Sequence, residues 1–248
     1  MSCSDDTNLI IWDTPTIKLI GHTATVFCMT IWKSKIISGS SDDTIKIWNL
    51  QGQCEATLQG HADIISSLNC LSDGRIVSTA DDGTLKIWNS EECLHTFKKI
   101  MIPYETYNII KILDNDRVAC IMNDNTINII NTRTYTIDLI LIGHTSAIER
   151  INTVKDGKEK LITSTNERLI IWNLQTGRIE YLSQALIIND FIVLPDNRIA
   201  IANKNKVNVV NIQTKAIDLT YNNGVEFFHI LQDKRLIGVS GNEITIYR

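Results

Sequence analysis

One phrase recurs seven times along this chain: a β-branched run closing on Trp-Asp or Trp-Asn after a polar turn. It reads Leu9-Ile10-Ile11-Trp12-Asp13, Ile45-Lys46-Ile47-Trp48-Asn49, Leu85-Lys86-Ile87-Trp88-Asn89 and Leu169-Ile170-Ile171-Trp172-Asn173. Weaker copies end at Asn131, Asn211 and Arg248. The Trp-equivalent positions 12, 48, 88, 130, 172, 210 and 247 lie 36, 40, 42, 42, 38 and 37 residues apart. A period of about 40 residues built from short strands predicts a propeller or a solenoid. Such repeats bury their faces only against each other, so the repeat decides the architecture.

Residues 17–49 serve as the template. Ile17 to Ile20 reads as a strand stopped by Gly21-His22, Val26 to Trp32 as a second, Lys35 to Ser40 as a third and Thr44 to Asn49 as a fourth. Short Ile/Val/Thr-rich runs separated by Gly, Asp, Asn and Ser turns are a hairpin signature. The prediction is four antiparallel strands per repeat, one blade each. A second motif precedes the third strand: Leu71 to Ile76, Leu113 to Val118, Leu194 to Ile199 and Leu231 to Leu236 each carry a polar turn and then Arg. Arg75, Arg117, Arg198 and Arg235 lie 13, 13, 12 and 12 residues before their Trp-equivalents, which fixes the register.

With 248 residues and no Pro/Gly/Ser-rich break, residues 1–248 read as a single domain. The 44% hydrophobic and 21% charged content is that of a globular core-forming chain. A net charge of −4 argues against nucleic acid as partner, which calls for a basic stripe. The six cysteines contain no Cys-x-x-Cys pair and suggest a reducing compartment. No signal peptide or apolar run of membrane-spanning length is visible. The expectation is an intracellular protein, of cytoplasm or nucleus, with no membrane partner.

These residues resemble the WD40 repeat family, whose repeats run from Gly-His to Trp-Asp and fold as a β-propeller. Gly21-His22, Gly60-His61 and Gly143-His144 match the opening dipeptide. The expected fold is all-β, with full repeats at 14–49, 50–89, 90–131, 132–173, 174–211 and 212–248 and a partial repeat at 1–13. The resemblance implies hydrogen-bonded structural tetrads of His22, Ser38, Asp42 and Trp48, and of His61, Ser78, Asp82 and Trp88. A partial tetrad follows in His144, Thr163 and Trp172, where a shorter turn offers Asn166 in place of Asp. His, Ser and Asp together imitate a nucleophilic triad, but the trio recurs with the repeat and is tied to a Trp expected between blades, as structural staples are. The five histidines lack partners at metal-ligand spacing, and no Gly-rich phosphate cradle is present. No catalytic residue, metal or cofactor is expected; the chain reads as no enzyme.

Residues 2–12 align without gaps on 38–48, so the Trp-ending strand occurs once more than the other three. Either Ile17 to Ile20 pairs with Ile244 to Tyr247 and closes a six-bladed ring, or a seven-bladed ancestor has left one blade incomplete. The second is favoured because Ser2, Asp6 and Trp12 keep tetrad identities; an open edge would then invite a partner chain. Turns of the early repeats offer Asp5, Ser41, Asp43, Asp63 and Asp81 to one face, an acidic set. Later ones offer Tyr104, Asn123, Asn125, Glu167, Arg168, Lys204 and Asn205, mixed to basic. By resemblance the chain is a non-catalytic scaffold or adaptor binding proteins or peptides on that face. A basic segment would suit its acidic side. The alternatives are a truncated or degenerate copy without independent function, and a substrate-receptor subunit of a ubiquitin ligase.

Overall fold

A computed structural model describes residues 2–3, 9–11, 17–98, 109–114, 116–156, 158–183, 187–222, 224–231, 235–241 and 243–247. Every regular element among them is a β-strand. The chain divides into two compact units, Met1–Ile140 and Leu141–Arg248.

In the first unit, β1 (Ser2–Cys3), β2 (Leu9–Ile11) and β3 (Ile17–Leu19) form a three-stranded antiparallel sheet. Two four-stranded sheets follow. One contains β4 (Val26–Trp32), β5 (Lys35–Ser40), β6 (Ile45–Asn49) and β7 (Cys54–Leu58); the other contains β8 (Ile65–Cys70), β9 (Ile76–Ala80), β10 (Thr84–Trp88) and β11 (Cys93–Lys98). A further sheet joins β12 (Ile110–Ile112), β13 (Arg117–Ile121), β14 (Ile127–Asn131) and β15 (Thr136–Leu141).

In the second unit β16 (Arg150–Asp156), β17 (Lys158–Ser164), β18 (Leu169–Asn173) and β19 (Ile179–Leu182) form one sheet. The next contains β20 (Asp190–Val193), β21 (Arg198–Ala202), β22 (Val207–Asn211) and β23 (Ile217–Tyr221). The last has three strands, β24 (Phe227–Ile230), β25 (Leu236–Ser240) and β26 (Glu243–Tyr247).

A sheet is therefore not one sequence repeat. Each complete sheet takes three strands from one repeat and its outermost strand from the start of the next. The cause lies in the turns. Asn49 accepts the amides of Gln51 and Gln53, each at 3.0 Å, and Gly52 supplies a φ of 88°, so β6 folds straight back into β7. Asn131, Asn173 and Asn211 repeat this with the amides two and three residues on. The Asn of the Trp-Asn phrase is thus a turn former. The Gly-His segments, by contrast, carry the chain from the outer strand of one sheet to the inner strand of the next. β3 pairs with β2, Leu9 opposite Leu19 and Ile11 opposite Ile17.

Alternating apolar residues pack sheet on sheet. Ile37, Ile45 and Ile47 of the second sheet meet Ile65, Leu68, Ile76 and Trp88 of the third. In the other unit Ile162, Leu169 and Ile171 meet Phe191, Ile199 and Ile201, while Val207 and Val209 meet Leu236 and Tyr247. The fourth and sixth sheets have neither Gly-His nor Trp, and Ile127, Ile129, Val207 and Val209 contribute burial and ladder bonds there.

Candidate functional site

Two kinds of polar cluster emerge at the ends of these strands. The first is buried. Trp48 Nε1 donates to Ser38 Oγ at 2.8 Å, and His22 Nε2 lies 2.7 Å from the same oxygen. His22 Nδ1 meets Asp42 Oδ2 at 2.8 Å. One proton arrangement satisfies every atom: indole to serine, serine to Nε2, Nδ1 to carboxylate. The second copy is superposable: Trp88 to Ser78 at 2.8 Å, His61 Nε2 to Ser78 at 2.8 Å and His61 Nδ1 to Asp82 at 2.9 Å. In the second unit Trp172 donates to Thr163 Oγ1 at 2.8 Å and His144 Nε2 sits 2.7 Å from it. His144 Nδ1 is buried without a hydrogen-bond partner.

Each aspartate is held by more than its histidine. Asp42 accepts Thr44 Oγ1 at 2.6 Å and the amides of Thr44 and Thr23; Asp82 accepts Thr84 Oγ1 at 2.7 Å and the amides of Thr84 and Ala62. Sequence reasoning missed these threonines, although Asp-x-Thr recurs at 42–44, 82–84 and 124–126. Burial alone would raise the Asp42 carboxyl, but the Thr44 hydroxyl, the Thr23 amide and His22 hold it near 2. Burial lowers the histidines, with Asp42 and Asp82 opposing. His144 has no such opposition: burial, reinforced by Arg168, brings it down to about 4.

Ser38, Ser78 and Thr163 are fully buried and each shares its oxygen between an indole and an imidazole. A nucleophile needs access and an oxyanion site; these hydroxyls are enclosed. Among the described residues, no group of three or more His, Cys, Asp or Glu could hold a metal ion. No described helix is long and apolar enough to cross a membrane.

The second cluster is acidic, with Asp63 and Asp81 exposed and Asp43 half-buried. Ser41 N donates to Thr25 O at 2.9 Å and Asp81 N to Ile64 O at 3.0 Å, which ties each tight turn to the loop after Gly-His. Asp43, Asp63 and Asp81 stand on these linked segments of the first unit. Burial, then the charges of Asp63 and Asp82, raise the Asp81 carboxyl. Asp43 adopts a φ of 62°, which aspartate tolerates. Asn123 is exposed on the next turn, and Asn125 takes a φ of 63° there. Glu167, Arg168, Lys204 and Asn205 occupy turns of the second unit. The Glu167 and Arg168 amides bond Thr165 Oγ1, and the Asn205 amide bonds Asn203 Oδ1. Asp5, Asp6, Trp12 and Tyr104 lie outside the described residues.

Comparison with known proteins agrees with this architecture. The family described as WD domain, G-beta repeat matches residues 14–49 and 52–89. WD repeat-containing protein pop2 of Schizosaccharomyces pombe is 28% identical over 169 residues, 66% of this chain and 22% of that protein. The chain thus spans about a fifth of the length of this relative. The WD40 β-propeller domain of Doa1 superposes with a TM-score of 0.59 at 21% identity, covering 74% of this chain and 62% of that one. Strand order and sheet packing place the molecule among all-β proteins built from propeller blades. Residues 14–49 and 52–89 are WD40 repeats by this match, and the chain as a whole shares the β-propeller fold.

Proposed function

We propose that this chain is a non-catalytic scaffold that binds a basic segment of a protein partner across the turns bearing Asp43, Asp63 and Asp81. The observation that carries the reading is the crowding of like charge: burial raises the Asp81 carboxyl most, and Asp63 and Asp82 raise it further, so a cation placed there relieves repulsion as well as gaining attraction. The tetrads supply rigidity beneath these turns. Asp42 and Asp82 are spent on internal bonds, which leaves Asp43, Asp63 and Asp81 to face outward.

The test is titration with a Lys/Arg-rich peptide at two salt concentrations, using the chain and its Asp43→Asn, Asp63→Asn, Asp81→Asn variant. Asn keeps the positive φ of Asp43 while removing its charge. Expected is salt-sensitive binding that falls by about tenfold or more in the variant. Binding equal in both proteins, or insensitive to salt, overturns the reading.

A further inference from the structure

At the end of the sheets opposite to Asp43, a cavity of about 450 Å³ opens between the second and third sheets. Ile37, Ile47 and Ile76 form its floor, Trp32 one wall, and Ser90 and Glu91 part of its rim. The position recurs one sheet further on, where it is filled. There Arg75, directly before β9, reaches the following sheet. Its Nη1 donates to Thr132 O, its Nη2 lies 3.5 Å from Thr132 Oγ1, and Nη2 stands 3.9 Å from Asp116.

Alignment on the Trp-ending strand makes the two places equivalent residue by residue. Lys35 lies 13 residues before Trp48 as Arg75 lies 13 before Trp88. Ser90 corresponds to Thr132, Glu91 to Arg133 and Gly74 to Asp116. In the second sheet, however, the bridging residue is lysine, and its ammonium pairs with Glu55 of its own sheet. Lys35 and Glu55 themselves line the cavity, and among the described residues no guanidinium of this sheet reaches Ser90 as Arg75 reaches Thr132.

The exchange at the neighbouring positions favours a cation from outside. Glu91 replaces Arg133, turning the rim acidic, and its carboxylate meets no cation of the chain among the described residues. Gly74 replaces Asp116. A Cβ at Gly74 would lie 2.6 Å from the Trp32 ring, so glycine is what lets the indole stand as a wall. Lys33 Nζ already stands 4.2 Å from the Trp32 ring centroid, so this indole holds a cation over its ring; the carboxylate and the turn hydroxyl beside it suit a planar guanidinium, which donates to both in one plane.

We propose that this cavity binds an arginine side chain of a partner peptide, in the place that Arg75 fills at the next sheet junction. The site is distinct from the acidic turns, which lie at the other end of the strands.

The probe is acetyl-Gly-Arg-Gly-amide, followed by amide and indole chemical shifts, with the citrulline peptide as its uncharged isostere. Expected are saturable shifts at Trp32, Ser90 and Glu91, with citrulline weaker by about tenfold or more. Glu91→Gln, on an exposed turn, weakens arginine binding, and Ala56→Ile fills the cavity and removes it. The Asp43→Asn, Asp63→Asn, Asp81→Asn variant leaves it unchanged, which separates this site from the scaffold face. Equal binding of citrulline, shifts confined to the Asp43, Asp63 and Asp81 turns, or no shift at Trp32 overturns the proposal.

Discussion

His144 and Thr163 are joined at 2.7 Å through Nε2 and Oγ1, as His22 and Ser38 are, yet the far ring nitrogen of His144 is buried with nothing to bond. The three histidine staples are therefore unequal. His22 and His61 each connect a hydroxyl to a carboxylate, so truncating either one removes a bond from both partners, each of which keeps its others. His144→Ala removes only the bond to the hydroxyl. His22→Ala and His61→Ala should exceed His144→Ala in cost by about 1.5–3 kcal/mol, the range of a hydrogen bond to a charged group. Urea unfolding of the three variants measures this; equal losses would show that the carboxylate bond contributes nothing net.

The same asymmetry gives a pH signature. Folded His144 titrates near 4, against 6.5 for the free side chain, so the folded state prefers the neutral ring. A lowered histidine contributes stability that is complete above about 6.5 and is lost as pH falls toward 4. Asp42, held near 2, keeps its contribution through that window. The raised carboxyls of Asp81 and Asp190 act in the opposite sense but are common to wild type and variant. His144→Gln should flatten the stability profile between pH 6.5 and 4. Parallel profiles for wild type and variant would refute the assignment.

Much of this was legible from spacing. The constant offsets to Trp48, Trp88 and Trp172 placed the staple residues, and the shorter turn at Asn166 already marked the third staple as incomplete. What escaped was everything that depends on one sheet meeting the next. Arg75 reads as one of four equivalent turn arginines, and nothing local says that it reaches Thr132, 57 residues away. Trp32 reads as the end of a strand until Gly74 is seen beneath its ring. The offset of one strand between repeat and sheet was hidden because both strand junctions look like polar turns. Only the Asn-capped one is a hairpin.

Ser38 and Ser78 carry the test of the non-catalytic reading. Each oxygen receives an indole N–H and binds an imidazole in a fully buried setting. Ser38→Ala should destabilise by about 2–4 kcal/mol, because two buried partners lose their bond together. A serine-directed fluorophosphonate should leave both residues unmodified in the native chain. Labelling of Ser38 or Ser78 would contradict the staple role.

Gly74 couples backbone and packing. Its φ of 95° excludes most side chains, and a Cβ would fall 2.6–3.1 Å from three atoms of the Trp32 ring. Asp116 and Asn197, one residue before the equivalent arginines, hold φ of 57° and 64° as non-glycine residues. The decisive difference is thus the indole. Gly74→Asn brings in the side chain best suited to a positive φ, but it meets the ring as well as the strain of 95°, and should cost about 1–3 kcal/mol by overpacking. Trp32→Leu combined with Gly74→Asn should recover part of that loss. If the double variant is simply additive in urea unfolding, the ring is not the obstacle.

Tyr135 occupies a left-handed turn position, φ 58°, that Gly52 and Gly177 fill elsewhere at 88° and 70°, and Lys215 at 62°. Left-handed backbone costs an L-residue about 1–2 kcal/mol. Tyr135 has a return on that strain: its ring stacks on His95 of the neighbouring sheet at 4.6 Å and 5° between planes. An aromatic pair of this geometry contributes about 0.5–1.5 kcal/mol beyond burial. Lys215 is exposed, and no aromatic contact involves it among the described residues. Lys215→Gly should therefore stabilise the chain by about 0.5–1 kcal/mol, whereas Tyr135→Gly should be neutral or destabilising. Thermal unfolding of both variants decides it: equal gains would mean that the His95 stack does not offset the strain at Tyr135.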